Sequence, residues 1–443
     1  MSGTAEFHVA IVGGGIGGIC LGLALQHRRI PFTIYESRAE FHQIGAGIVM
    51  AAHAVRALQL CDPSLCEKFG SLDQRNDTIP TIPCILNELR YGVSRNGYKD
   101  GEVIHQSVRS RAGGRTVHRH ELLSILAKEL KEGCAQFNKR LKSYDQRNGR
   151  VRLKFADGTE AFANILVAMD GIHSSVRTCM FGAESHLSKA VYSHSLAYRA
   201  VIPMDRYVEA FGGPVKYSTL SLGPGTTLIH YPVSGGTQVN CGAFVDKRGS
   251  GEIWPHAEWI IPDQREQFRR DFHDFGPGVQ KILDMMESMN PSVWALHQYS
   301  FQPESFVDGL VILAGDAAHS MLPHLGAGAS QAIEDAYVLA ETLASPALTC
   351  SPVSAGTLHA ALVATEQARI PRFSAVQRLS ENNGHKFYDF VEQKLDDQAL
   401  QDWLDEYGRR FDWLWDYDVA LDAVKARKLL QELLERAESV SKN

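Results

Sequence analysis

The chain has 443 residues, of which 44% are hydrophobic and 22% charged, with a net charge of −6. That length supports two or three domains around a sizeable core, and the acidic balance offers nothing to nucleic acid or to an anionic membrane surface. Eight scattered cysteines without a CxxC pair exclude a zinc ribbon or a disulfide scaffold and point to a reducing, cytoplasmic setting, and no apolar run approaches the ~18 residues of a transmembrane span.

Residues 7–12 form a short apolar run that reads as a strand. Gly13-Gly14-Gly15-Ile16-Gly17-Gly18 fits GxGxxG, and an Ala/Leu-rich helix follows over 19–26. A second strand, 32–35, ends at Glu36. This order of strand, turn, helix, strand and acid is that of a dinucleotide site. Gly13 makes the turn, Gly15 lets backbone approach a pyrophosphate, Gly18 lets helix pack on strand, and Glu36 accepts from ribose hydroxyls. A lone GxGxxG is weak evidence, but here its whole context is present.

A second Gly-bearing segment, residues 41–49, carries Gly47 and Val49, and residues 54–60 read as a helix. Residues 71–101 are mixed and polar and enter a second domain. A helix over 117–130 begins with His118-Arg119, where Arg119 either contacts a diphosphate or stands on the surface beside Glu121. Residues 151–155 and 161–162 form a hairpin around Asp157-Gly158, and the strand 164–168 ends at Asp170. From about 190 to 245 the pattern is β-rich, with successive antiparallel strands at 195–202, 217–222, 227–231 and 238–245. Arg199 and Tyr231 are polar residues within these strands; read from the residues alone, they are an Arg paired with Asp205 and a core Tyr. Helices follow over 263–273 and 278–289.

Residues 310–314 form a buried strand that ends at Gly315-Asp316. A loop with Pro323, Gly326 and Gly328 leads into a helix with Ala332, Ile333, Ala336 and Leu339 at helical spacing. A helix that starts in a Gly-rich turn offers free N–H groups and a positive dipole end to an anion. Long helices follow over about 354–382 and 397–438, the last with Trp403, Phe411, Trp413, Trp415 and Tyr417. That aromatic stripe reads as core or interface, as a dimer face or as a cap on the pocket.

Three motifs in this order, GGGIGG at 13–18 with Glu36, DGIHSSVR at 170–177 and GDAAHSMLPHLGAGASQAIEDA at 315–336, resemble the single-component FAD-dependent aromatic hydroxylases similar to salicylate hydroxylase. IGAGI at 44–48 and HRHELL at 118–123 add to the match, which covers roughly residues 7–380. The strands around Tyr198-Arg199 and His230-Tyr231-Pro232 look most like fungal polyketide-tailoring hydroxylases, dearomatising ones included. The resemblance implies an α/β fold: a Rossmann-like FAD-binding domain (1–75, 103–180 and 292–380), an inserted β-sheet substrate domain (76–102 and 181–291) and C-terminal helices (381–443).

The resemblance also implies roles. Glu36 would hold the adenosine ribose, Arg119 the diphosphate or ribityl region, and Asp316 the ribityl chain. Gly328 and Ala329, beyond Pro323, would face the pyrimidine edge of the flavin, and Val49 would touch it through backbone. Asp170 would be shared between FAD and NADH or NADPH, which docks without a domain of its own. In such chemistry NAD(P)H reduces FAD, dioxygen adds to give a hydroperoxide at the flavin C4a carbon, and a phenolate attacks its distal oxygen. Arg199 would hold the phenolate and Tyr231 would hydrogen-bond the same oxygen. No metal is implied. The partners implied are a small phenolic substrate and dioxygen, and the chain would be a monomer or a homodimer.

The chain departs from the family in having Met50-Ala51-Ala52-His53 where an Asn usually precedes the helix. His53 there faces flavin or substrate, or caps the helix. His319 and His324, which flank the flavin loop, read as structural. The leading expectation is hydroxylation of a phenolic polyketide intermediate in secondary metabolism. The alternatives are decarboxylative hydroxylation of a salicylate and, from another class, a non-catalytic FAD-fold binding protein.

Overall fold

The structure, a computed structural model, describes residues 7–41, 47–65, 84–95, 97–109, 115–251, 253–349 and 353–441. Ile44, Gly45 and Ala46 of the IGAGI segment lie outside the described residues.

The all-apolar run Val9–Val12 is the centre of a six-stranded sheet. It pairs in parallel with Phe32–Tyr35 on one side and Ile165–Ala168 on the other, and Val311–Leu313 extends the sheet in parallel beyond Ile165–Ala168. Val9–Val12, Ile165–Ala168 and Val311–Leu313 are buried throughout, as a parallel sheet covered on both faces requires. Ile16–His27 packs on this sheet and on Gly328–Leu343, and both helices are buried nearly all round.

The second sheet has eight strands. Its centre is the expected antiparallel set, Val191–Pro203, Gln238–Asp246, Thr226–Val233 and Ser218–Gly223, laid side by side in that order. Cys84–Tyr91 joins in parallel to Ser218–Gly223, and Val103–Arg109 closes that edge. Ser292–Gln298 pairs with Val191–Pro203 at the other edge. The expected boundaries placed residues 103–109 and 292–298 with the nucleotide domain. Backbone pairing instead builds both strands into the second sheet, because ladder hydrogen bonds, not chain proximity, decide membership. The Gly47–Met50 strand pairs with Arg115–His118 and bridges the two halves, so residues 115–118 are a strand and the expected helix starts at Arg119.

The C-terminal region is helical, with one correction. Residues 397–438 were expected as one helix, but Asp397–Trp415 and Ala420–Ser441 are separate. The Arg56 guanidinium donates to the carbonyls of Trp415 and Tyr417, both at 2.7 Å, and Arg372 donates to that of Leu414 at 2.9 Å. Those carbonyls are therefore satisfied without a further helical turn. The long helix before them runs Ala355–Asp389, past the expected end.

Candidate active site

One cavity of about 770 Å³ runs between the two sheets. Its nucleotide end is built from two helix starts. Ile16–His27 begins at Gly15 and Gly328–Leu343 at Ala327, neither start has a side-chain cap, and Gly15, Ile16, Gly17, Gly328 and Ala329 line the cavity. Uncapped first-turn N–H groups favour negative charge.

Glycine is required in the first turn. Gly13 has φ +106°, and a Cβ there would sit 2.3 Å from the Met169 carbonyl oxygen; a Cβ on Gly18 would sit 2.0 Å from the Gly13 oxygen. Glu36 Oε2 accepts from Gly14 N–H at 2.7 Å and Oε1 from Arg38 N–H at 2.8 Å, which fixes the carboxylate at the end of its strand with lone pairs left for further donors. Arg119 lines the cavity. Burial pulls its pKa down, and Asp316, also on the cavity, offsets this. Val49 and Pro323 complete this end. A glycine cradle that a Cβ would fill, two free helix starts and an Arg–Asp pair fit the diphosphate and ribityl chain of FAD.

Asp170 does not line the cavity as its neighbours Met169 and Gly171 do. Its Oδ2 accepts from the N–H groups of Ser175 (2.7 Å) and Val176 (3.2 Å), holding the start of the helix Ser175–Phe181, while burial raises its pKa. Arg177 of the same motif, to which the sequence reading gave no role, is fully buried on the Tyr299 ring and donates to the carbonyls of Ala317 and Ala318, both at 2.9 Å. It thereby fixes the short helix that begins with Asp316.

Asp335 works from the other side. Its Oδ2 accepts from Gly315 N–H at 2.9 Å and lies 2.6 Å from His319 Nε2; its Oδ1 accepts from Arg369 Nε at 2.8 Å. Burial opposes its charge, but His319 and Arg369 outweigh burial and hold the carboxyl well below its ordinary range. His319 is structural, as expected. The pair Glu334-Asp335 in the quoted motif was the available signal, since adjacent acids on a buried helix need partners.

His53 neither caps its helix, where Ala51 is the N-cap, nor lines the cavity. Its ring is buried with Nε2 4.0 Å from Glu334 Oε1, and burial lowers its pKa to about 4. His324 does line the cavity, and burial lowers it to about 3.

The other end of the cavity is the face of the eight-stranded sheet. Side chains alternate along Val191–Pro203: Tyr198 points away and donates to Asp271 at 2.8 Å, while Arg199 points into the cavity. Arg199, Gly242, Ile229 and Leu220 form one row across four strands. The Arg199 guanidinium lies 4.8 Å from the centre of the Trp294 ring. It makes no ion pair among the described residues, and Asp205 is not its partner. Burial lowers its pKa, offset by Tyr231. Tyr231 is on the cavity too, but its hydroxyl donates to the Gly47 carbonyl at 3.0 Å. Its cross-strand partner Asn240 accepts from Gly47 N–H at 2.9 Å through Oδ1. The Tyr231 hydroxyl, expected to meet a substrate oxygen, is thus engaged by the backbone of the Gly47–Met50 strand. Facing the sheet are Phe387, Tyr407, Phe411 and Trp415, so the C-terminal aromatics cap the pocket.

The family model described as an FAD binding domain matches residues 6–350. The 6-methylsalicylate 1-monooxygenase of Aspergillus terreus is 32% identical over 99% of this chain and 96% of its own. A salicylate hydroxylase of Pseudomonas putida is 31% identical over 95% of each. Among solved structures, a salicylate hydroxylase substrate complex superposes with a TM-score of 0.80 at 28% identity, over 96% of this chain and 98% of that one. With the glycine cradle, the two helix starts and the half-buried arginine in one cavity, this chain belongs to the salicylate-hydroxylase-like family of single-component FAD-dependent monooxygenases, flavoproteins that hydroxylate aromatic compounds.

Proposed function

We propose that the enzyme hydroxylates a phenolic polyketide intermediate of secondary metabolism, dearomatising it where the attacked carbon carries an alkyl group, with NADH or NADPH and dioxygen as co-substrates. The observation that carries this reading is Arg199: a half-buried, desolvated guanidinium without an acidic partner among the described residues, opening onto the cavity beside Ile229 and Leu220. A desolvated cation favours an anion beside it, and a phenol bound there loses its proton more readily. FAD, when bound, takes up the nicotinamide's electrons and delivers one oxygen atom of dioxygen to the substrate.

The protein's own contribution is positional. Arg199 holds the phenolate oxygen. Gly47, fixed on both sides by Tyr231 and Asn240, places the Gly47–Met50 strand against the cofactor. Ile229, Leu220 and Phe244 keep water from the reacting carbon. Tyr231 acts in this reading through Gly47, and Asp170 through the turn it holds before Ser175.

A second reading, decarboxylative hydroxylation of a salicylate, is favoured by the names of the two relatives above. The test is NADPH and NADH oxidation by the FAD-loaded protein with alkylated phenolic aldehydes beside salicylate and 6-methylsalicylate. Products that gain one oxygen from the aldehydes support the first reading. Release of carbon dioxide from the salicylates, with the aldehydes inert, replaces it with the second.

A further inference from the structure

The cavity is wider than a single phenol ring requires. Its sheet face begins with Arg199 on Val191–Pro203 and continues through Gly242, Ile229 and Leu220 to Asn87 on Cys84–Tyr91. Four inter-strand spacings separate the first of these strands from the last, roughly 19 Å at about 4.8 Å each. Gly47 sits over Tyr231 and Asn240, so the cofactor-facing strand lies over the Arg199 half of this width. The half towards Asn87 is left for the substrate.

That far half has its own chemistry. The helix Asp397–Trp415 roofs the cavity with Tyr407, Phe411 and Trp415 one turn apart, each ring meeting the next edge-on: Trp415 packs on Ala51 and Leu325 at the cofactor end, and Phe411 and Tyr407 carry the roof across to Asn87. Such a wall suits a hydrocarbon chain or a second ring. Its end is polar. Asn87 Oδ1 is buried without a hydrogen-bond partner, the Tyr407 hydroxyl stands beside the Asn87 amide, and Lys216 lines the mouth with its ammonium in no ion pair among the described residues. A buried acceptor left without a donor costs free energy until a ligand or water supplies one.

We infer that the substrate is an elongated phenol whose side chain runs beneath Phe411 across the sheet and ends in an oxygen function between Asn87 and Lys216. The inference rests on the reading of the Arg199 half as the place where the ring is held.

The test uses the full-length, FAD-loaded enzyme and 2,4-dihydroxybenzaldehydes whose 6-substituent is methyl, pentyl or ω-carboxypentyl. Dissociation constants come from perturbation of the flavin absorbance, and kcat and KM from NADPH oxidation with product mass. The expected result is a dissociation constant at least tenfold lower for ω-carboxypentyl than for methyl, with kcat changed by less than threefold. Lys216→Met removes the gain of carboxypentyl over pentyl. Phe411→Ala removes the gain of pentyl over methyl. Equal affinity for all three compounds overturns the inference, as does a gain that neither variant reduces. If binding follows side-chain length and both variants act as expected while no compound of the series speeds NADPH oxidation, the side-chain site between Asn87 and Lys216 stands and the phenol-hydroxylase reading falls.

Discussion

The Tyr231 hydroxyl donates to the Gly47 carbonyl at 3.0 Å, which ties the eight-stranded sheet to the Gly47–Met50 strand on the same cavity. The approach is so close that a Cβ on Gly47 would lie 2.9 Å from the Tyr231 ring and 2.8 Å from Val233. One half-site thus sets the position of the other.

Tyr231→Phe deletes this tie and leaves a carbonyl without its donor, a loss of about 1–3 kcal/mol. The expected outcome is weaker FAD retention and a lower melting temperature, with kcat/KM falling in proportion to FAD occupancy. Arg199→Met should behave in the opposite way. FAD binding stays intact while kcat/KM for a phenol falls on the order of a hundredfold, about 3 kcal/mol of lost charge-assisted hydrogen bonding. Fluorescence titration of FAD beside steady-state kinetics separates the two.

Gly18→Ala puts a methyl 2.0 Å from the Gly13 carbonyl oxygen and 3.1 Å from its carbon, backbone atoms that cannot swing aside as a side chain could. The purified variant is expected colourless or with substoichiometric flavin, read as the ratio of flavin to protein absorbance.

Asp335→Asn removes a buried charge that faces Arg369 and His319 and one acceptor of the Gly315 N–H. Breaking a buried ion pair from one side costs roughly 3–5 kcal/mol. A fall in melting temperature, together with loss of FAD at moderate dilution, is the expected result of thermal scans with and without added FAD.

His53, His230 and His324 are buried with pKa values lowered to about 4, about 4 and about 3, each chiefly by burial. In the unfolded chain they take up protons near 6.5, so below that pH the unfolded state binds more protons and stability falls as pH drops. The loss begins near pH 6.5 and is complete for each group only below its folded pKa. For His53 it reaches on the order of 3 kcal/mol. Chemical denaturation across pH 4–7 should show this slope, and His53→Asn should flatten it while leaving the pH 7.5 melting temperature within a few degrees. An unchanged slope in that variant would remove His53 from the account.

The fingerprint at 13–18 with Glu36, the Gly315-Asp316 turn and the helix start at Gly328 were legible in the sequence because each is local. A turn that needs glycine, a strand end and an uncapped helix start are set by neighbouring residues, and short-range sterics write them into the chain. The antiparallel strand set containing Arg199 and Tyr231 was legible for the same reason, through its alternating pattern. Partners were not. That no acid among the described residues pairs with Arg199, what the Tyr231 hydroxyl meets, and that Arg177 and Asp335 both hold the Asp316 turn depend on residues up to 184 positions apart. Helical periodicity showed that the aromatics of 403–417 form a stripe but could not tell core from cap. Only the packing of the Asp397–Trp415 helix over the eight-stranded sheet, with Arg56 and Arg372 taking up its last carbonyls, brought Phe411 and Trp415 of that stripe onto the cavity, while Trp413 stays exposed and Trp403 packs in the second core. Burial and hydrogen-bond pairing at long range are properties of the folded chain, and there tertiary structure decided.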